Sequence, residues 1–317
     1  MAGRLVLTLI LVFYTGSLAE GSDFDNFGVI SELYTIEQEA GANIIACYAS
    51  TCYARSFTGW IYNIDIQDPY NPQLEDQYDT NAALYALGPS NRYHFTAVQH
   101  PDNNIRWVLV ANDGYSNWEI VHIADEGIGG NSGPAGIRAK SNHVYVCTAG
   151  QLSVYDVSNV FDISKIGDVR VTDWVWALEI GDTAAYVATT AGLTIIDISD
   201  PSQMEISSSL SLNDECRALA IDGTTAFVGT SGGKLFAIDV SDPQNPSVIS
   251  SINLIGDLRD IAISNSHAYV VGLQTNSKVI DVRDPSNMEV VYAMSNDNNN
   301  GWGRSIEVRE GYAFIVN

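Results

Sequence analysis

GDTAAYVATTAGLTIIDISDP, residues 181–201, decides the fold. It holds two short runs rich in Val, Ile, Thr and Tyr, joined through Ala191-Gly192 and closed by Asp-Ile-Ser-Asp-Pro. Such runs, punctuated by Gly, Asp and Pro, read as β-strands. The same plan returns as DGTTAFVGTSGGKLFAIDVSDP from Asp222 and SNSHAYVVGLQTNSKVIDVRDP from Ser264, and precedes as SNHVYVCTAGQLSVYDVSN from Ser141. The aligned carboxylates are Asp156, Asp197, Asp239 and Asp281, 41, 42 and 42 positions apart. WIYNIDIQDP from Trp60 puts Asp65 in the same role. In the interval before Asp156, RWVLVAND and WEIVHIAD supply strands of a divergent copy with His122 in place of the Asp.

With flanking runs such as WALEI and EISSSLSL, each unit holds four strands, and nothing after the first residues has sustained helical periodicity. A four-stranded unit of this period predicts one blade of a propeller. The expected fold is therefore all-β, a β-propeller of four-stranded antiparallel blades, seven-bladed with an incomplete last blade. The units begin near Ala42, Phe95, Gly136, Trp176, Cys216 and Leu258, with a partial one from Gly303. FGVISELYTI near the N-terminus reads like the fourth strand PSVISSINL and is expected to join the last blade. There GRSIEVRE and YAFIVN supply only two strands before Asn317, so a C-terminally truncated chain is expected. The repeated Asp sits where a strand ends and a turn opens. Accepting backbone N–H groups of that turn is a structural role, copied once per blade.

Segments such as GLTIIDISDPSQM and KLFAIDVSDPQNP, preceded by AYVAT or AFVGT, resemble the LVIVD repeat of secreted and cell-surface proteins. The resemblance runs from about residue 42 to 317 and is strongest from Ser141 to Met288. It implies a β-propeller and brings no catalytic residues with it.

The first residues, MAGRLVLTLILVFYTGSLAE, pair Arg4 with an apolar run and small residues at 17 and 19, the pattern of a secretory signal. Residues 1–19 are read as that signal and 20–317 as a single propeller domain, secreted or at the cell surface. No later run is long and apolar enough to span a membrane, and surface anchoring through a missing C-terminus stays open. The chain carries 15 Lys+Arg against 38 Asp+Glu, a formal net charge of −23. With no basic stripe to neutralise phosphates, nucleic acid is excluded as a partner class. Four Cys are too few for a disulfide-dependent scaffold. Cys47 and Cys52 are near enough to bridge locally, whereas Cys147 and Cys216 read as small buried residues.

In a propeller, the loops entering each first strand and those joining the second and third strands share one face. Arg217, Arg259 and Arg304 hold one aligned position at the start of the first strand, and Trp176 holds it in another blade. With Trp174 and Trp302 they make a candidate ligand-binding set at the channel mouth, because Arg binds anions bidentately and Trp offers a flat apolar face. The competing reading is an Arg that pairs with a neighbouring Asp and holds blades together. Asn296, Asn298, Asn300, Gly301 and Glu307 match the spacing of a calcium loop, weakly, since Asn stands where Asp is expected and no flanking helix is available. Apart from that Ca2+ candidate no cofactor is expected. The His residues have no metal-ligand spacing.

Two functional readings follow. The first is a non-enzymatic recognition or scaffold module that binds an extracellular protein or glycan through its loop face. The second is a propeller enzyme, a hydrolase or lyase, with a metal or acid/base site in the central channel. First strands such as ALEIG, ALAIDG and DIAISN carry mostly Ala, Ile and Leu, which favours the first.

Overall fold

The computed structural model describes residues 10–13, 29–32, 42–48, 50–56, 60–68, 72–79, 87–90, 93–99, 107–113, 119–123, 134–148, 150–294, 303–309 and 312–316. Apart from the three-residue turn Pro201–Gln203, every regular element among them is a β-strand. The strands form four-stranded antiparallel sheets in a β-propeller arrangement. The described chain forms two compact units, one of residues 1–77, 229–237 and 249–317, the other of 78–228 and 238–248.

The best-formed blade shows how sequence makes the sheet. Val175–Ile180, Ala184–Thr189, Gly192–Asp197 and Glu205–Ser211 lie in that order, each antiparallel to the next. Ala184–Thr189 is buried at all six positions and Gly192–Asp197 at its first five, because both faces of these central strands are covered. That demands a continuous apolar run in place of alternation. The outer strand EISSSLS is solvated, so Ser alternates with Ile and Leu. At the hairpin between the central strands the Thr189 hydroxyl accepts the N–H groups of Ala191 and Gly192, both at 3.2 Å. Gly192 has φ 151°, and a Cβ there would lie 2.0 Å from the Leu210 carbonyl oxygen, so only glycine fits.

The Asp-x-Ser-Asp-Pro segment does what its position implies. Asp156, Asp197, Asp239 and Asp281 accept the backbone N–H two residues on at 2.8, 2.8, 2.9 and 3.0 Å, and Asp65 accepts that of Gln67 at 2.8 Å. The second Asp repeats the device, Asp200, Asp242 and Asp284 accepting from Ser202, Gln244 and Ser286. The residue after each first Asp then bonds back to the hairpin of its own blade: Ile66 to Ser50, Val157 to Asn142, Ile198 to Thr183, Val240 to Thr224 and Val282 to Ser266.

This signature marks five blades where seven were expected. The expected incomplete last blade is corrected, because its sheet holds four strands. The divergent copy gives the sheet of Leu87–Ser90, Tyr93–Gln99, Trp107–Asp113 and Glu119–Ile123, in whose sequence His122 stands where the other copies carry Asp. Ser305–Arg309 and Tyr312–Val316 are not left as a two-stranded remnant. Tyr312–Val316 pairs with Ile10–Phe13, matching Ile10 to Ile315 and Val12 to Ala313, and Val29–Glu32 closes that sheet as its outer strand. The apolar N-terminal run supplies the missing third strand, and the FGVISELYTI segment takes the fourth place expected of it.

Conserving one turn chemistry lets neighbouring blades dock alike. The Ser208 hydroxyl donates to the Pro243 carbonyl and the Ser250 hydroxyl to that of Pro285, both at 2.6 Å, reaching from a fourth strand to the Asp-Pro turn of the next repeat. The aligned residue one repeat earlier is Gly167, where a Cβ would sit 2.4 Å from the Pro201 carbonyl oxygen. Between blades lie apolar layers, such as Val154, Leu178, Val187 and Ile196 in one unit and Val271, Val279, Ile306 and Ile315 in the other.

Candidate functional site

The starts of four first strands carry an irregularity that spacing alone does not reveal. Opposite consecutive residues of the second strand, one residue of the first is extra: Asn43, Ala135, Trp176 and Arg259 are skipped in their ladders. A bulge re-aims the side chain of its extra residue out of the strand's alternation. Trp176 and Arg259, two of the candidate site residues, are therefore bulge residues, and Arg217 holds the aligned position.

In the unit of residues 78–228 and 238–248, three candidate residues meet. The Trp174 and Trp176 rings lie 6.3 Å apart at an interplanar angle of 47°. The Arg217 guanidinium stands over the Trp176 ring, 4.7 Å from its centroid, a cation–π contact worth roughly 0.5–2 kcal/mol. Glu215, two residues before Arg217, accepts its Nε at 3.1 Å and its Nη2 at 2.7 Å, which fixes the guanidinium plane over the indole. Trp176 Nε1 is buried with no hydrogen-bond partner. Trp174 is half exposed. The arrangement is an open aromatic surface backed by an oriented cation, which can stack on a sugar ring or an apolar side chain.

In the other unit Arg259 repeats the pairing: its Nη2 donates to Asp257 Oδ2 at 2.5 Å. The Arg217–Glu215 and Arg259–Asp257 contacts join residues two apart within one strand entry. Asp260, the residue after Arg259, reaches the next blade. Its Oδ2 accepts the Ser305 hydroxyl at 2.7 Å and the Ile306 N–H at 3.0 Å. Arg304 N donates to the Val316 carbonyl at 2.7 Å, placing Arg304 at the entry of its own first strand. Burial and then the neighbouring Arg259 charge hold the Arg304 guanidinium below its ordinary value.

Trp302, Asn296, Asn298 and Asn300 lie outside the described residues. Glu307 is on the strand Ser305–Arg309, with its carboxylate 3.4 Å from Arg309 Nε, a cation competing for the oxygen that a metal needs. Among the described residues no group of three His, Cys, Asp or Glu is placed to hold a metal ion. Cys47 and Cys52 face each other on adjacent strands and form a disulfide. Cys147 and Cys216 are buried free thiols; burial pushes Cys147 up and raises Cys216 to about 12, so neither is a nucleophile at neutral pH. Among the described residues no helix is long and apolar enough to cross a membrane.

Solved structures with this architecture are numerous. The WD40 beta propeller domain of Doa1 aligns over 100% of this chain and 97% of its own, with TM-score 0.66 and 10% identity. A functionally unknown protein from Desulfotomaculum acetoxidans DSM 771 aligns over 92% and 97%, with TM-score 0.67 and 13% identity. U3-55K aligns over 88% and 96%, with TM-score 0.68 and 8% identity. At such identities the likeness concerns the fold alone. No curated protein matches the chain. The sequence model of the LVIVD repeat matches residues 181–211, 215–253 and 255–294, three of the blades that carry the double Asp turn. Residues 181–294 thus match the LVIVD repeat three times in succession.

Proposed function

We propose that the protein is a non-enzymatic recognition module, acting outside the cell or at its surface, that binds a protein or glycan through the loops entering its first strands. The observation that carries this reading is the Trp174, Trp176 and Arg217 cluster. A half-exposed Trp costs solvation wherever it does not meet a partner, and here a second Trp, an Arg and Glu215 hold its surroundings in one geometry. Preorganised aromatic and Arg side chains are what recognition surfaces use. The secretory pattern of residues 1–19 supports the extracellular setting.

The test is binding to a glycan array and to proteins of the extracellular medium, with wild type and W174A side by side. The reading expects a ligand retained by wild type and weakened at least tenfold in W174A, with circular dichroism unchanged. Equal binding by both proteins, or turnover of the captured compound, would overturn it.

A further inference from the structure

Three strand entries bring side chains two residues apart against each other. Arg217 meets Glu215 at 2.7 Å, and in the other unit Arg259 meets Asp257 at 2.5 Å. The aligned pair of the third entry is Trp176 and Trp174, whose ring centroids lie 6.3 Å apart. Ion pairs at two entries are thus replaced by an aromatic pair at the third. Arg217 also stands over Trp176, 4.7 Å from its centroid, while Glu215 accepts the Nε and Nη2 of the same guanidinium. Trp176 is therefore a filled cation site: an indole face, a guanidinium upon it and a carboxylate that orients the guanidinium.

Trp174 has the indole and an adjacent carboxylate without the cation. The ring is half exposed, and among the described residues no Lys or Arg lies over it. Asp173, the residue before it, accepts the Thr172 hydroxyl at 3.5 Å, the weak limit of a hydrogen bond, and makes no ion pair among the described residues. Residues 172–176 and 213–217 carry three acids, Asp173, Asp214 and Glu215, against one base, Arg217. The whole chain repeats that imbalance, with 15 basic residues against 38 acidic ones. A surface of this sign draws cations and repels anions, so a sugar acid is disfavoured, and a neutral sugar gains nothing from the field.

We propose, on the reading that Trp174 belongs to a recognition surface, that its occupant is a basic side chain of a partner protein, seated on the Trp174 indole beside Asp173. Arginine suits the place better than lysine. Its planar guanidinium stacks on an indole while still donating to a carboxylate in its own plane, as Arg217 does on Trp176 with Glu215. The internal Arg217 thus shows, one repeat on, the geometry that the partner's side chain takes.

The experiment titrates the full chain at low salt with a tetra-arginine peptide, with the citrulline peptide of equal length, in which each guanidinium becomes a neutral urea of the same shape, and with cellotetraose. Calorimetry compares wild type, W174A, W174L, D173N and E205Q. Glu205 pairs with Asp197 at the far end of the same blade, so E205Q removes an equal charge away from the entry. Wild type and E205Q are expected to bind the arginine peptide, more weakly as salt rises, and the citrulline peptide at least about tenfold more weakly. W174A and W174L should lose at least about tenfold for the arginine peptide with unchanged circular dichroism, and D173N about two- to fivefold. Equal affinity for the two peptides, equal losses in D173N and E205Q, or full affinity in W174L overturns the proposal. Should W174A not fold, W174L, which keeps apolar bulk and loses the ring face, decides alone. Cellotetraose binding that W174A abolishes, with the arginine peptide ignored, overturns this inference and leaves the recognition surface standing. If W174A weakens binding of no glycan, extracellular protein or peptide, both fall.

Discussion

Replacing Asp260 with Ala removes one carboxylate that joins two blades. Its oxygens accept the Ser305 hydroxyl at 2.7 Å, the Ile306 N–H at 3.0 Å and the Ile261 N–H at 2.9 Å. The partners Ser305 and Ile306 are buried, so in the variant both donors lose their acceptor away from bulk water. A hydrogen bond to a charged group contributes about 1.5–3 kcal/mol net. The Ile261 bond is local and its donor can turn to water. The two cross-blade bonds therefore set the loss, and partial rescue by an entering water brings D260A to about 3 kcal/mol. D260N keeps an acceptor without the charge and should lose about 1–1.5 kcal/mol. Sterics do not confuse the result, because the aligned residues of other blades are Gly136, Ala177 and Ala218. Urea unfolding at pH 7 is the assay, the loss appearing as a lower midpoint at unchanged slope. A D260A midpoint that gives less than about 0.5 kcal/mol, within the range of ordinary surface changes, would refute the cross-blade tie.

Other outcomes follow from the repeat. S208A and S250A should each lose about 1 kcal/mol in the same assay, while G167S, though it copies the residue of the aligned blades, should lose about 1–3 kcal/mol by crowding the Pro201 carbonyl; a stabilising G167S would contradict the close approach. Cys147 and Cys216 should resist a thiol reagent at pH 8 in the folded protein and both react once it is unfolded, and rapid labelling of the native chain would show that they are not buried. The carboxyls of Asp156 and Asp197 are held below their ordinary value first by the N–H groups of Ser158 and Ser199, and that of Asp281 by the Arg283 side chain. Because the folded values are depressed, their contribution to stability is complete above the unfolded value near 3.8 and lost as pH falls through the folded ones. Unfolding free energy should thus stay level from pH 6 to about 5 and drop below pH 4, less so in D197N; equal stability at pH 6 and pH 3 would contradict this.

Much of the fold was legible in the residues. Continuous apolar runs such as AAYVAT and LTIID mark strands covered on both faces, and Ser-rich outer strands mark the solvated edge. Asp197 and Asp239 announced their turns, since an Asp followed by Ser and Asp-Pro has backbone donors within reach. Blade count was less legible, because His122 stands in one copy where the others carry Asp. The sheet of the last strands takes Ile10–Phe13, a run whose composition reads as an export signal. Site residues were recognisable by type and aligned place. Their geometry was not, because the bulge that turns Trp176 and Arg259 out of the strand adds a single residue that leaves the repeat length unchanged. The same limit hid that Arg217 pairs with Glu215 in its own loop while its face covers Trp176 of the preceding repeat.

Hydrogen–deuterium exchange resolved along the chain tests the repeat architecture most directly. The structure predicts protection maxima at Ala184–Thr189 and Gly192–Asp197, again at Thr225–Thr230 and Lys234–Asp239, and again at His267–Leu273 and Lys278–Asp281. Fast exchange should fall at the loops between these blades. Protection that ignores this spacing of about forty residues, or that is strongest across the Asp-Pro loops, would contradict the blades and the binding surface built on their entries.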